Sequence, residues 1–279
     1  MRFGAYVEPG FKDCTGPSHI EAVRAYETCL ERTLDTDRLY YRWDSEFPTD
    51  ELTNLIDGRI PHISFRAVKK DNTPISWASI AAGEEDERIR EIAIELLPIA
   101  FISSKPLLIT FNHEADNDRI GGDGYELGLA DEFKQAWIRF FSILKEEGVL
   151  NIERVLILDH WAFKFADNWN PGGEWVDAWG VDGFNRPSKD GAWHQPRTLF
   201  NPALEYAVSQ EKLLYITEFG TEAWPFNPDR RTRWIDKMGR WLINHEVDIG
   251  LAQYWNGLNY QLNEDTQAFE ALKMLAHSV

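Results

Sequence analysis

Short apolar runs rich in β-branched and aromatic residues recur along the chain at Phe3–Val7, Leu39–Trp43, Ile60–Phe65, Leu107–Phe111, Val155–Leu158, Ala178–Phe184, Leu213–Thr217 and Ile249–Trp255. Runs that are apolar throughout mark strands covered on both faces. Between them the apolar period changes to about 3.6 residues. Ile89, Ile92, Ala93 and Leu96 form one such stripe, and Phe133, Trp137, Phe140, Phe141 and Leu144 form another ahead of Gly148. Trp234, Met238, Trp241 and Leu242 form a third, and Phe269, Leu272 and Leu275 the last. Ser18-His19-Ile20-Glu21 reads as a capping box that starts a helix, and Asn201-Pro202 reads as a cap with proline at the first helical position. Eight strand-then-helix units predict a parallel (β/α)8 barrel.

At 279 residues and 43% hydrophobic content, one core is expected, so residues 1–279 are assigned to a single barrel domain. No Pro/Ser-rich linker or low-complexity tract divides them. The formal net charge of −17 argues against a nucleic-acid partner, which needs clustered Lys and Arg. No run of about 18 apolar residues is present, so no membrane partner is expected. The N-terminal MRFGAYVEPG enters strand-like sequence without a basic region and an apolar segment. That pattern fits an internal protein and the mature part of a longer secreted precursor alike.

The two cysteines, Cys14 and Cys29, are read as free thiols. A helix from Ser18 to Cys29 climbs roughly 16 Å, whereas bridged Cα atoms lie about 4.4–6.8 Å apart.

The chemistry gathers where strands end. Leu107–Phe111 is followed at once by Asn112-His113-Glu114, and the seventh run closes in Thr217-Glu218-Phe219-Gly220. In a parallel barrel the residues after each strand line the active end, so Glu114 and Glu218 are expected to face one another across the mouth. Two carboxyl groups about 5–5.5 Å apart divide the work of retaining glycoside hydrolysis, one protonating the leaving oxygen while the other attacks the anomeric carbon. A single Glu after a strand is more often a solvated loop residue; the second one changes the balance. His113 fits either a sugar contact or a structural histidine bonded to backbone. His62 has no companion at metal-ligand spacing and reads as structural. Glu8, Asp44, Arg66 and Asp159 near strand ends fit buried ion pairs as well as substrate contacts.

His113-Glu114, then Val176-Asp177-Ala178-Trp179-Gly180-Val181-Asp182-Gly183-Phe184-Asn185, Thr217-Glu218-Phe219-Gly220 and Gln253-Tyr254-Trp255-Asn256 together resemble glycoside hydrolase family 26 of clan A. Trp77 through Gly83 and Asp86 add a weaker match. The resemblance spans nearly the whole chain and implies a (β/α)8 endo-acting β-glycanase: mostly β-mannanases, with some β-1,3-xylanases and lichenases. It implies Glu114 as general acid/base, Glu218 as nucleophile, His113 as a sugar contact beside the acid, and Trp255 as the platform under the sugar. Asn112, Trp161, Phe184 and Asn185 complete the candidate substrate-binding set. Phe184 stands where the family has a tyrosine whose hydroxyl bonds the nucleophile, and Ala115-Asp116-Asn117 replaces the Met-Asn-Gly common in mannanases. The expected substrate is a mannan-like or xylan-like glycan, with a weakly active or non-catalytic glycan-binding barrel as the alternative.

No metal or cofactor is expected. A metal-dependent barrel hydrolase would carry His-x-His on its first strand, and Phe3-Gly4-Ala5-Tyr6-Val7-Glu8 offers none. Twelve tryptophans are more than packing requires. Trp137, Trp234 and Trp241 lie on helix stripes, whereas Trp161, Trp169, Trp175, Trp193, Trp224 and Trp255 fall in rim or loop segments. There they either stack on sugar rings or anchor loops.

Overall fold

The computed structural model describes residues 1–9, 18–46, 50–224, 227, 229–262 and 265–279. Eight strands close in sequential order into a barrel: β1 (Arg2–Val7), β2 (Thr36–Arg42), β3 (Ile60–Arg66), β4 (Leu107–Phe111), β5 (Ile152–Asp159), β6 (Ala178–Asn185), β7 (Leu213–Thr221) and β8 (Ile249–Asn256). Neighbouring strands run parallel, as in the pairing of Tyr6 with Trp255 between β1 and β8, or of Phe65 with Phe111 between β3 and β4. The helices between them are α1 (His19–Leu30), α2 (Asp50–Ile56), α3 (Trp77–Ala82), α4 (Asp86–Ile102), α5 (Ala115–Asp118), α6 (Ala130–Glu146), α7 (Pro187–Asp190), α8 (Pro196–Ser209), α9 (Asp229–Asn244) and α10 (Thr266–Ser278). The (β/α)8 expectation holds. By contacts the chain groups into two compact units: Met1–Arg38 with Asp57–Arg59 and Val181–Val279, and Leu39–Ile56 with Ile60–Gly180.

In the first unit, Ser18 caps α1 by accepting from the Glu21 N–H at 3.3 Å. Cys29 on that helix is a free, half-buried thiol, and Cys14 lies outside the described residues. α8 departs from its expected start. It begins six residues earlier, with Pro196 in the first turn after an extended Gln195, the backbone that proline imposes on its predecessor. Pro202 then falls inside the helix. Burial overrides its missing N–H, because Leu199, Phe200, Ala203, Leu204 and Ala207 form an unbroken buried stripe past it. Asn201 does not cap; its Oδ1 accepts from Trp241 Nε1 at 2.9 Å. Trp234, Met238 and Leu242 on α9 and Phe269, Leu272 and Leu275 on α10 are buried, as their periodicity predicts. A Cβ at Gly183 on β6 would overlap the Phe200 ring, so only glycine lets α8 lie this close to the strand.

The second unit has an aromatic core. Phe111 stacks on Phe140 at 5.1 Å and meets Trp43 edge-on at 6.0 Å. Trp169 belongs to this packing: it is 4% exposed and edge-on to Trp77 and Phe133 at 6.1 and 5.6 Å. Of the rim and loop tryptophans, it is one that anchors its loop. His62 is buried with Nε2 3.3 Å from Thr110 Oγ1, a structural position.

Candidate functional site

The chain turns abruptly after β4. Asn112 and Glu114 both adopt left-handed backbone at φ 50°, a conformation costly for residues with a Cβ and tolerated best by Asn. Hydrogen bonds hold the turn. Asn112 donates its N–H to the Phe65 carbonyl at 2.6 Å, its side-chain carbonyl accepts from Ala67 N at 3.2 Å, and its Nδ2 donates to Asp118 at 3.0 Å. Glu114 donates its N–H to the Ile157 carbonyl of β5 at 3.1 Å, and its carbonyl accepts from the Asn117 N–H at 2.9 Å. The Glu114 carboxylate is half-buried and accepts from Asn117 Nδ2 at 3.1 Å. His113, also half-buried, meets Tyr40 of β2 edge-on at 5.2 Å.

Beneath the turn lies a dense polar layer. Asp118 is fully buried and takes both Arg66 donors at 2.9 and 2.6 Å, together with the Tyr125 N–H. Among the four charged residues flagged near strand ends, Arg66 is thus a bracing ion pair. Asp116 is 1% exposed. Its Oδ1 accepts from the Asp159 N–H at 3.1 Å, and Oδ2 has no partner among the described residues. Burial first, and then the negative charge of Asp159, push the Asp116 carboxyl up to about 8. Asp159 in turn caps the 3-10 segment His160–Asn168, with Oδ1 2.6 Å from His160 Nδ1. Trp161 on that segment is 37% exposed.

In the other unit Glu218 sits on β7, 7% exposed, with Oε1 3.9 Å from Nη2 of a wholly buried Arg38 on β2. One residue before it, Thr217 donates to Asp182 on β6 at 2.5 Å. Trp255 on β8 stacks face to face on Tyr6 of β1, with centroids 4.3 Å apart, and Tyr6 stacks in turn on His19 at 5.8 Å. His19 is held by both oxygens of buried Asp37, at 2.9 and 3.0 Å. The Tyr6 hydroxyl is raised by burial, then by the charges of Glu8, Asp37 and Glu218, so the phenol lies within the field of that carboxylate. Phe184 meets Trp255 edge-on at 6.5 Å and stacks on Tyr260 at 4.6 Å. Asn185 is fully buried: its amide donates to Thr221 Oγ1 and accepts from the His194 N–H, both at 2.8 Å.

Of the predicted site residues, the first unit brings together Glu218, Trp255 and Phe184, and the second brings together Asn112, His113 and Glu114 beside the Trp161 segment. The amides of Asn112 and Asn185 are taken up in bracing the strand ends. Arg38, Tyr6, Tyr40 and Asp116 were not singled out from sequence. For Arg38 the only signal is a basic residue just before an apolar run, Thr36-Asp37-Arg38-Leu39.

No protein-family model and no curated protein matches the chain. Among solved structures its fold is similar to a GH26 β-mannanase from Bacteroides ovatus, with a TM-score of 0.66, 14% identity, and 100% of this chain and 88% of that one covered. It is similar to the catalytic domain of a Bacillus sp. GH26 endo-β-1,4-mannanase, with a TM-score of 0.66, 12% identity and coverage of 99% and 85%. It is also similar to an endo-β-1,4-glucanase from Xanthomonas axonopodis pv. citri, with a TM-score of 0.61, 10% identity and coverage of 100% and 99%. At these identities the likeness is one of fold.

Proposed function

We propose that this chain is an endo-acting retaining β-glycoside hydrolase of the family 26 kind, with Glu218 as nucleophile and Glu114 as general acid/base. The observation that carries the reading is the setting of Glu218: a nearly buried carboxylate beside the buried Arg38 cation, in the same unit as the Tyr6–Trp255 stack. A solvated loop glutamate has no such setting. In the proposed reaction Glu218 attacks the anomeric carbon while Glu114 protonates the departing oxygen; Glu114 then takes a proton from the water that cleaves the glycosyl-enzyme. The fold neighbours that act on β-1,4-mannan and β-1,4-glucan support a β-linked glycan as substrate, with mannan-like or xylan-like chains first in order of test.

Reducing-sugar release across a panel of β-glycans tests the reaction, and a crystal structure with the two carboxyl groups more than about 9 Å apart would remove the retaining mechanism. Azide rescue separates the roles: Glu218→Ala is expected to give the α-glycosyl azide and Glu114→Ala the β-glycosyl azide. Phe184 favours a second reading, a barrel that binds glycan without turnover, because it places no hydroxyl where the family's tyrosine supplies one. Binding to the panel without release of reducing ends would establish that reading.

A further inference from the structure

At the N-terminal end of β5, a cavity of about 440 Å³ opens between the end of α6 and the 3-10 turn Gly173–Trp175. Cavities of about 300–1,000 Å³ are the size that hold small ligands. Ile152, the first residue of β5, lines it, while the Glu114 turn bonds to Ile157 of the same strand. Five residues of strand, roughly 16 Å, separate the two places.

The lining combines three chemistries. Trp175 offers a half-exposed indole whose backbone is fixed on both sides: its carbonyl accepts from Trp137 Nε1 at 2.9 Å and its N–H donates to the Gly172 carbonyl at 3.0 Å. Arg154 and Asp177 form a planar fork, Nε to Oδ2 at 2.8 Å and Nη2 to Oδ1 at 2.9 Å, with the guanidinium 5.9 Å from the Trp175 ring centroid. That pairing leaves Arg154 Nη1 outside it as a donor, while Asp177 Oδ2 also accepts from the Arg154 backbone N–H at 2.8 Å. Leu150, 70% exposed, continues the apolar wall. Lys145 and Glu174 complete the charged lining, so two cations face two carboxylates.

We propose that this cavity is a second carbohydrate-binding site, taking two or three units of a neutral β-linked pyranose chain. Balanced lining charge gives an ion no net attraction, and the chain's −17 repels anions. A pyranose matches the rest: its C–H face lies on an indole, and its hydroxyls can accept from Arg154 Nη1 and donate to the Glu174 carboxylate on the same lining. The pyranose rests on the cavity's own chemistry, and the β linkage rests on the function proposed above.

The test uses the whole protein labelled with 5-fluorotryptophan, with the Trp175 signal assigned by its loss in Trp175→Phe. Trisaccharides of β-1,4-linked glucose, mannose and xylose are titrated in turn and followed by fluorine NMR. The Trp175 signal is expected to shift saturably with at least one of them. Leu150→Glu, a surface change that keeps the indole, is expected to weaken that response about tenfold while leaving hydrolysis of a short chromogenic glycoside unchanged. No shift with any sugar, an equal shift with glucuronate, or a response indifferent to Leu150→Glu would each overturn the proposal. Hydrolysis without the Trp175 shift removes this site alone; the shift without hydrolysis removes only the hydrolase reading.

Discussion

Arg38 Nη2 stands 3.9 Å from Glu218 Oε1, and no part of the arginine side chain reaches solvent. A buried cation is costly unless an anion lies close, and Glu218 supplies one in the same unit.

From this pairing follows the first expectation. Arg38→Met removes the cation beside the proposed nucleophile Glu218, and glycan hydrolysis is expected to fall by about tenfold or more. A variant of parental activity would show that the reaction does not depend on Arg38. Circular dichroism checks that the barrel is intact.

Asp116 gives stability a pH dependence. Its carboxyl is pushed up to about 8 in the folded chain from an ordinary 3.8, by burial first and Asp159 second. A raised carboxyl binds its proton more tightly folded than unfolded, so its contribution is fullest below about 4 and is lost as pH climbs toward 8. Asp116→Asn keeps an acceptor for the Asp159 N–H and removes the titration. Urea unfolding is expected to show the variant gaining on the parent by about 4 kcal/mol at pH 9 relative to pH 5. Parallel stability curves across that range would contradict a raised Asp116.

Asn112 combines a left-handed backbone with side-chain bonds to Ala67 and Asp118. Asn112→Ala places a residue that disfavours the conformation there and strips a partner from a buried carboxylate, at an expected cost of about 2–4 kcal/mol in urea. A loss below about 0.5 kcal/mol, the level of an ordinary surface change, would show that the turn does not lean on this amide.

Tyr6 and Trp255 stack at 4.3 Å and 18°. A double-mutant cycle with Tyr6→Ala and Trp255→Ala is expected to give a coupling of about 0.5–1.5 kcal/mol in folding stability. Strict additivity would mean that Trp255 keeps its orientation without Tyr6.

Much of the architecture was legible because strand burial and helix amphipathicity write themselves into period and run length. β4 coincides with its apolar run at both ends, Leu107 and Phe111. β2 does not: it starts at Thr36, three residues before the apolar run, since Asp37 and Arg38 are strand residues whose charges are met by His19 and Glu218. Polarity argued against a strand there because the partners are remote in sequence. The same limit hid Asp116, whose distinction is its burial against Asp159, forty-three positions away. Asn201-Pro202 misled for the opposite reason: a strong local signal gave way to the buried face of α8. Trp169 and Trp161 lie eight residues apart in neighbouring loop sequence, and only packing separates the buried one from the exposed one.

The glycine at position 183 belongs to the longest of the segments that carry the family resemblance, and its reason is the ring of Phe200. Asn185, two residues on, is occupied with Thr221 and His194. These letters record how a helix nestles on a strand and how two strand ends are tied. A protein could keep them unchanged while its chemistry drifted, because losing either would damage the scaffold first. Phe184 between them packs on Tyr260 and Trp255 through its ring alone, and its side chain is where a change of trade would be written.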